Sequence, residues 1–285
     1  MKLEKIYHKG HKNSWDGKKI LDDLITKHKL QKELNAPLLG VKREAIIRIL
    51  SVILEGERVA WRTSSLLAYE LHDIGAKMAA TSQAHDEARH YFVLRDYIEK
   101  VLGHIPHPCD IVPDAARGLK IVDDAPNLSA RLLGMQLLVE PVAITLFREL
   151  RVREIEPVLV DLLPYYERDE ARHIALGVVF LPKIIEKMSW LSIAKLCLWQ
   201  VKILRAEARG LKSLAPYLET LDIDPLKVFE EAERRQLFAV REMESNLKYK
   251  IPLSKLISGA FFCEKQLIKH KGALGFLKSK IKNDN

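Results

Sequence analysis

The string Asp-Glu-Ala-Arg-His occurs twice, as Asp86-Glu87-Ala88-Arg89-His90 and as Asp169-Glu170-Ala171-Arg172-His173, and it restricts the possible folds more than any other feature. Each copy places a Glu and a His at i and i+3, which lie on one face of an α-helix roughly 5–6 Å apart at Cβ. A carboxylate oxygen and an imidazole nitrogen so placed can reach one metal ion. Each copy also has a second Glu 30 residues upstream, Glu57 before Glu87 and Glu140 before Glu170. The text around that Glu repeats as well, Glu57-Arg58-Val59-Ala60 against Glu140-Pro141-Val142-Ala143. This internal match favours Glu57 over its neighbour Glu55. Four carboxylates and two imidazoles form a hard-to-borderline donor set suited to iron or manganese, without the thiolates that select zinc or copper(I). Four glutamates also balance two divalent cations, which makes their burial tolerable.

Apolar spacing between the motifs is helical almost throughout, and glycine (13) and proline (12) are sparse in 285 residues. The pattern predicts helices over 43–75, 77–102, 128–153 and from Pro157 or Pro164 to 188. Three more follow at 192–217, 225–248 and 253–280, with Asp224-Pro225 as N-cap and first helical residue. Residues 103–127 hold four prolines (106, 108, 113, 126) and are too long for a tight turn. Glu140 stands in an apolar run, and Pro141 after it lacks a backbone donor, so a kink or π-type bulge is expected there.

With the ligand pattern and the crossover in hand, the chain resembles the ferritin-like di-iron and di-manganese carboxylate superfamily. There, Glu from two helices and Glu-x-x-His from two others project into a bundle. The likeness covers 43–188, about half of the chain. The Asp before each Glu and the Arg before each His look most like the hydroxylases of bacterial multicomponent monooxygenases. The resemblance implies an all-α, ferritin-like four-helix bundle with one long central crossover. Glu57 and His90 would hold one metal, Glu140 and His173 the other, with Glu87 and Glu170 bridging. Asp86 and Asp169 would accept the second imidazole N–H, from the same helix or the opposite one, while Arg89 and Arg172 hold them ionised. A helical salt bridge on the surface is the plainer alternative.

Three subfamily marks are missing. The radical tyrosine of the ribonucleotide reductase small subunit corresponds to Leu94, the monooxygenase threonine to Ile144, and the third histidine of aryl-amine N-oxygenases to Tyr166. One turn from the ligands stand Gln83, Tyr166 and Trp61, as candidates for a catalytic or cavity role or as ordinary core. The resemblance implies a non-haem di-iron oxidase or oxygenase, with two iron ions or manganese in their place, acting with dioxygen on a small, largely apolar organic substrate. Its electron donor would be separate, because no flavin, nicotinamide or Fe–S motif is present. The alternative is a metal-binding protein without an organic substrate, for iron handling or peroxide scavenging.

The net charge of +8 sits at the two ends: 11 basic against 5 acidic side chains in 1–43, and 8 against 2 in 250–285. Basic ends lying against an acidic body are the commoner reading of such asymmetry, and no nucleic-acid module accompanies them. The chain divides into a basic N-terminal segment (1–42), the metal-binding bundle (43–188) and further helices packed on it (189–285), with a homodimer possible. Within the last of these, Glu207 and Glu244 read as isolated surface charges. His8 and His11 share an i, i+3 spacing without a carboxylate beside them. No apolar h-region opens the sequence, and no run reaches the ~18 uninterrupted apolar residues of a membrane span. Three scattered cysteines (109, 197, 263) without a C-x-x-C suit a reducing cytoplasm and exclude a rubredoxin-type centre.

Overall fold

A computed structural model describes residues 3–29 and 40–262. They form α1 (Leu3–Lys12), α2 (Gly17–Lys29), α3 (Gly40–Glu70), α4 (Ile74–Lys100), α5 (Pro113–Asp123), α6 (Leu128–Leu132), a π-helical stretch (Leu133–Val139), α7 (Glu140–Val152), α8 (Pro157–Ile185), α9 (Trp190–Thr220) and α10 (Pro225–Ser245). A last helix, α11 (Leu253–Phe262), reaches the end of the described residues, so the remainder of the expected 253–280 helix and Cys263 lie outside them. There are no strands among the described residues. The expected all-α bundle is therefore observed, with α3, α4, the α6–π–α7 unit and α8 as its four members.

Short links make antiparallel neighbours of each pair. Asp73 closes the first, its side chain accepting from the Ala76 amide at 3.0 Å at the start of α4. Glu156 does the same for α8, accepting from Leu159 N at 2.9 Å, with Pro157 at the first helical position, where its missing N–H is not needed. Pro164 is then carried inside α8, which continues through it. Between the pairs, residues 101–127 cross the bundle and carry a 3₁₀ turn (Pro108–Asp110) and α5, a helix that the four prolines do not announce. Asp224 caps α10 as expected, accepting from Leu226 N at 2.9 Å.

Helices α5 and α9 meet through small residues. A Cβ on Gly210 would lie 3.2 Å from Ala115 Cα, and one on Gly118 would lie 3.6 Å from the Ala206 backbone. Leu128–Val152 is long and apolar enough to cross a membrane, yet 78% of its most apolar window is buried inside the bundle.

The N-terminal residues do more than their polar composition suggests. Helices α1 and α2 pack across α4 and α8. Lys27 and His28 reach Asp161 at 2.6 and 2.9 Å, and Lys100 reaches Asp22 at 3.1 Å. Gly17 allows the close approach: a Cβ there would sit 2.4 Å from Val93 Cγ2, on a stiff β-branched side chain. Inside a helix, glycine to alanine ordinarily stabilises by up to ~1 kcal/mol. Here Gly17→Ala should instead destabilise by about 1–3 kcal/mol, because α2 must lift away. That corresponds to a drop of several degrees in Tm for a chain of this size. An unchanged or higher melting temperature would show that α2 is not seated as described.

Candidate metal centre

Glu57 comes from α3, Glu87 and His90 from α4, Glu140 from the first position of α7, and Glu170 and His173 from α8. The fold gathers them into two overlapping groups. Glu57, Glu87, His90 and Glu170 offer donor atoms all within 4.8 Å of one another, and so do Glu87, Glu140, Glu170 and His173. Glu87 and Glu170 belong to both groups. All six side chains are buried, none above 4% exposed, which rules out the solvated-charge reading for each of them. Both imidazoles turn Nδ1 inward. His90 Nδ1 faces Glu170 at 3.2 Å and Glu57 at 3.4 Å, and His173 Nδ1 faces Glu170 at 2.9 Å and Glu87 at 3.0 Å.

Glu140 owes its position to the distortion before it. The Glu140 amide bonds to Met135 O, five residues back, and Pro141 supplies no amide to continue the ordinary ladder. The expected disturbance at Glu140 is thus a full π-helical stretch. Thr145, next to the position where a monooxygenase-like threonine would stand, spends its hydroxyl on the Pro141 carbonyl at 2.8 Å.

Outside the imidazoles the motif residues form a closed ionic square. His90 Nε2 lies 3.3 Å from Asp169, and His173 Nε2 lies 3.4 Å from Asp86, so each imidazole is served by the aspartate of the opposite helix. Arg89 donates to both Asp86 and Asp169, the latter at 2.9 Å; Arg172 reaches Asp169 at 2.8 Å and Asp86 at 2.7 Å. These four residues are buried, so the surface salt-bridge alternative fails. Burial alone would raise the aspartates, but the facing imidazoles and Arg172 hold both below the ordinary carboxylate range. Trp15, between α1 and α2, completes the arrangement: its indole N–H donates to Asp169 at 2.8 Å, and Arg89 stacks over its ring at 4.8 Å. No local pattern marks Trp15, which lies in an otherwise Lys-rich stretch 154 residues from its partner.

The electrostatics of the inner cluster fit a pair of cations. Burial pushes the Glu57 carboxyl up to about 8, whereas His173 and His90 hold Glu87 low against its own burial. Burial would also lower both imidazoles, yet the carboxylates facing them drive both well above the usual range, Glu57 foremost for His90 and Glu87 for His173. The shifts of Glu57 and both imidazoles thus favour bound protons, or cations in their place. Glu87 Oε2 and His90 Nδ1 are completely buried and have no hydrogen-bond partner, the condition expected of atoms aimed at an ion. Two dications would replace those protons and meet both atoms.

The three flanking candidates have different fates. Gln83 joins the centre, its amide donating to Glu87 at 2.9 Å and Glu140 at 3.1 Å, while Gln136 donates to Gln83 Oε1 at 3.2 Å. Gln136 has no motif to mark it, a single amide within an otherwise apolar run. Tyr166 is fully buried, stacks on His90 at 4.3 Å between ring centres and gives its hydroxyl to the His90 carbonyl at 2.8 Å. Burial raises its phenol well above the ordinary value. Trp61 is a correction: it is 43% exposed and leans on Tyr91 on the outer side of α3.

A cavity does open on the centre, but on a different side from Gln83, Tyr166 and Trp61, none of which lines it. It lies between α3, α5, α7 and α9, with about 100 Å³ available to the centres of water-sized molecules. That is several times the ~10–15 Å³ one water needs on this measure. Its walls are apolar except for Glu57, Glu140 and Glu170 at the centre and Glu207 on α9. Glu207 is a second correction. A charge expected on the surface lines the cavity, because α5 and α9 close over that face of the bundle.

Solved structures share this architecture. A protein with aldehyde deformylating oxidase activity from Synechococcus superposes with a TM-score of 0.63 at 18% identity, covering 77% of this chain and 97% of that one. A variant of an R2-like ligand-binding oxidase with an aerobically reconstituted Mn/Fe cofactor gives 0.64 at 15% identity, over 82% and 92%. A second variant of that oxidase gives 0.54 at 16%, over 93% and 92%. The fold is ferritin-like. No family model and no curated protein sequence matches the chain.

The cross-helix aspartates give a specific expectation. Asp169→Asn should weaken metal binding by about 10–100-fold, since it removes the charge behind His90 and a partner of both arginines. Competition against a chelator measures this, and wild-type affinity in the variant would show that the ionic square does not support the centre.

Proposed function

We propose that Glu57 and His90 hold one metal ion and Glu140 and His173 a second, with Glu87 and Glu170 shared, and that the chain is a non-haem di-iron or manganese–iron oxidase or oxygenase. It would use dioxygen to oxidise a small, largely apolar organic molecule. The observation that carries this reading is the apolar cavity ending on three carboxylates of the centre. A protein that only handled iron would have no need of an apolar space there. When bound, the two ions supply redox chemistry toward dioxygen that no side chain here can provide.

The chain's own residues set the conditions for that chemistry. The Asp86–Arg89–Asp169–Arg172 square fixes both imidazoles with Nδ1 inward, and Gln83 holds Glu87 and Glu140 by one amide. Tyr166, committed to the His90 carbonyl, packs the side away from the cavity. Val52, Ile53, Val139, Val142 and Leu146 give the cavity an apolar lining beside the centre. Electrons come from a separate donor protein in this reading, and the cysteine usage favours the cytoplasm.

The test is metal content after expression with iron, followed by oxygen uptake by the anaerobically loaded Fe(II) protein. About two irons per chain, with uptake, are expected, and loss of bound iron in Glu140→Ala. Two metals with no oxygen uptake would favour the metal-handling alternative. A wild type that binds no metal would overturn the reading.

A further inference from the structure

Glu207 is the one carboxylate on the cavity wall that belongs to neither ligand group. Its Oε2 accepts from Gln236 Nε2 at 2.9 Å, and the same amide donates to the Leu138 carbonyl at 2.9 Å. Gln236 is thereby pinned between α10 and the π-helical stretch and holds the Glu207 carboxyl in one place. The other oxygen, Oε1, is completely buried without a partner. No lysine, arginine or histidine among the described residues forms an ion pair with Glu207. Burial pushes its carboxyl up to about 8, with Gln236 opposing only in part, so near neutral pH it is chiefly the uncharged acid. With Oε2 accepting, the proton belongs on Oε1. A buried polar atom left unmet costs free energy, which an occupant of the cavity would recover. The unmet oxygen belongs to a side chain that already forms part of the cavity wall.

We propose that Glu207 is the specificity-determining residue of the cavity, recognising a hydroxyl or carbonyl oxygen on an otherwise apolar substrate. The substrate class is thus narrowed from any small hydrocarbon to molecules with one hydrogen-bonding oxygen at an apolar body. The rest of the wall, from Ile53, Leu119, Val122 and Leu214, can only take up the body. The small residues Gly210, Ala206 and Gly118, which let α5 and α9 meet closely, set the width of that end.

This inference deepens the functional reading, so its test avoids turnover. Calorimetric binding of benzyl alcohol and toluene is compared on the full chain, both metal-free and anaerobically iron-loaded, for wild type, Glu207→Leu and Glu207→Gln. In Glu207→Leu, benzyl alcohol should lose about tenfold in affinity while toluene keeps or gains affinity, in the range of one hydrogen bond. Glu207→Gln, which can still donate and accept, should retain most of the alcohol affinity. Melting temperatures of both variants should match or exceed wild type, because a buried unmet acid is removed. Equal losses for both probes, no loss for either, or no binding of benzyl alcohol to wild type would overturn the assignment. Because the metal-free arm needs no metal, failure of the metal reading and failure of this one are separable.

Discussion

Mutual repulsion among four buried carboxylates governs this molecule. Glu57, Glu87, Glu140 and Glu170 converge from all four members of the bundle, in a place where an uncompensated charge costs several kcal/mol. Apolar packing alone would push them apart or neutralise them. Two imidazoles answer part of that charge, and a pair of dications would answer the rest. The surrounding helices can therefore be apolar and closely packed, since the charge is settled locally among six side chains.

The same logic repeats one layer out with opposite emphasis. There the charges balance within the protein: two aspartates pair with two arginines and face the two imidazole Nε2 atoms across α4 and α8. Such a network holds position, because shifting one helix relative to the other breaks several charge-assisted bonds together. Trp15 extends it to the N-terminal helices, so the segment that looks most like a solvated tail is tied directly to the centre.

Features governed by local spacing were legible in the sequence. The i, i+3 pairs, the 30-residue recurrence, the cap at Asp224 and the disturbance at Pro141 each involve residues near one another in the chain, and each is present. The less legible features needed the third dimension. Asp169 and His90 sit on different helices, and spacing left their pairing open between same-helix and cross-helix partners. Gln136 has no pattern to mark it and Glu207 reads as a surface charge, because the roles of both depend on what packs over them. Trp61 shows the converse limit: one turn from Glu57 it shares roughly the same face of α3, but spacing does not say what covers a side chain, and its ring lies against Tyr91 and solvent. Trp15 carried no signal at all, since a single tryptophan in a lysine-rich stretch has no period to read.

The π-helical stretch before Glu140 sets the rotational phase of everything after it. An α-helix advances about 100° per residue, so a stretch that takes in one residue more than the α-helical count turns all of α7 by roughly that much relative to α6. Gln136, inside the stretch, and Glu140, at its end, both reach Gln83. Pro141 guards the phase, since no amide follows Glu140 to restore the regular ladder. Chains descending from this one that exchange residues along 133–139 would still have to keep their number at seven. Losing one would leave an unbroken, more regular helix whose glutamate faces away from the other three. Here the number of residues carries information for the site in addition to their identities.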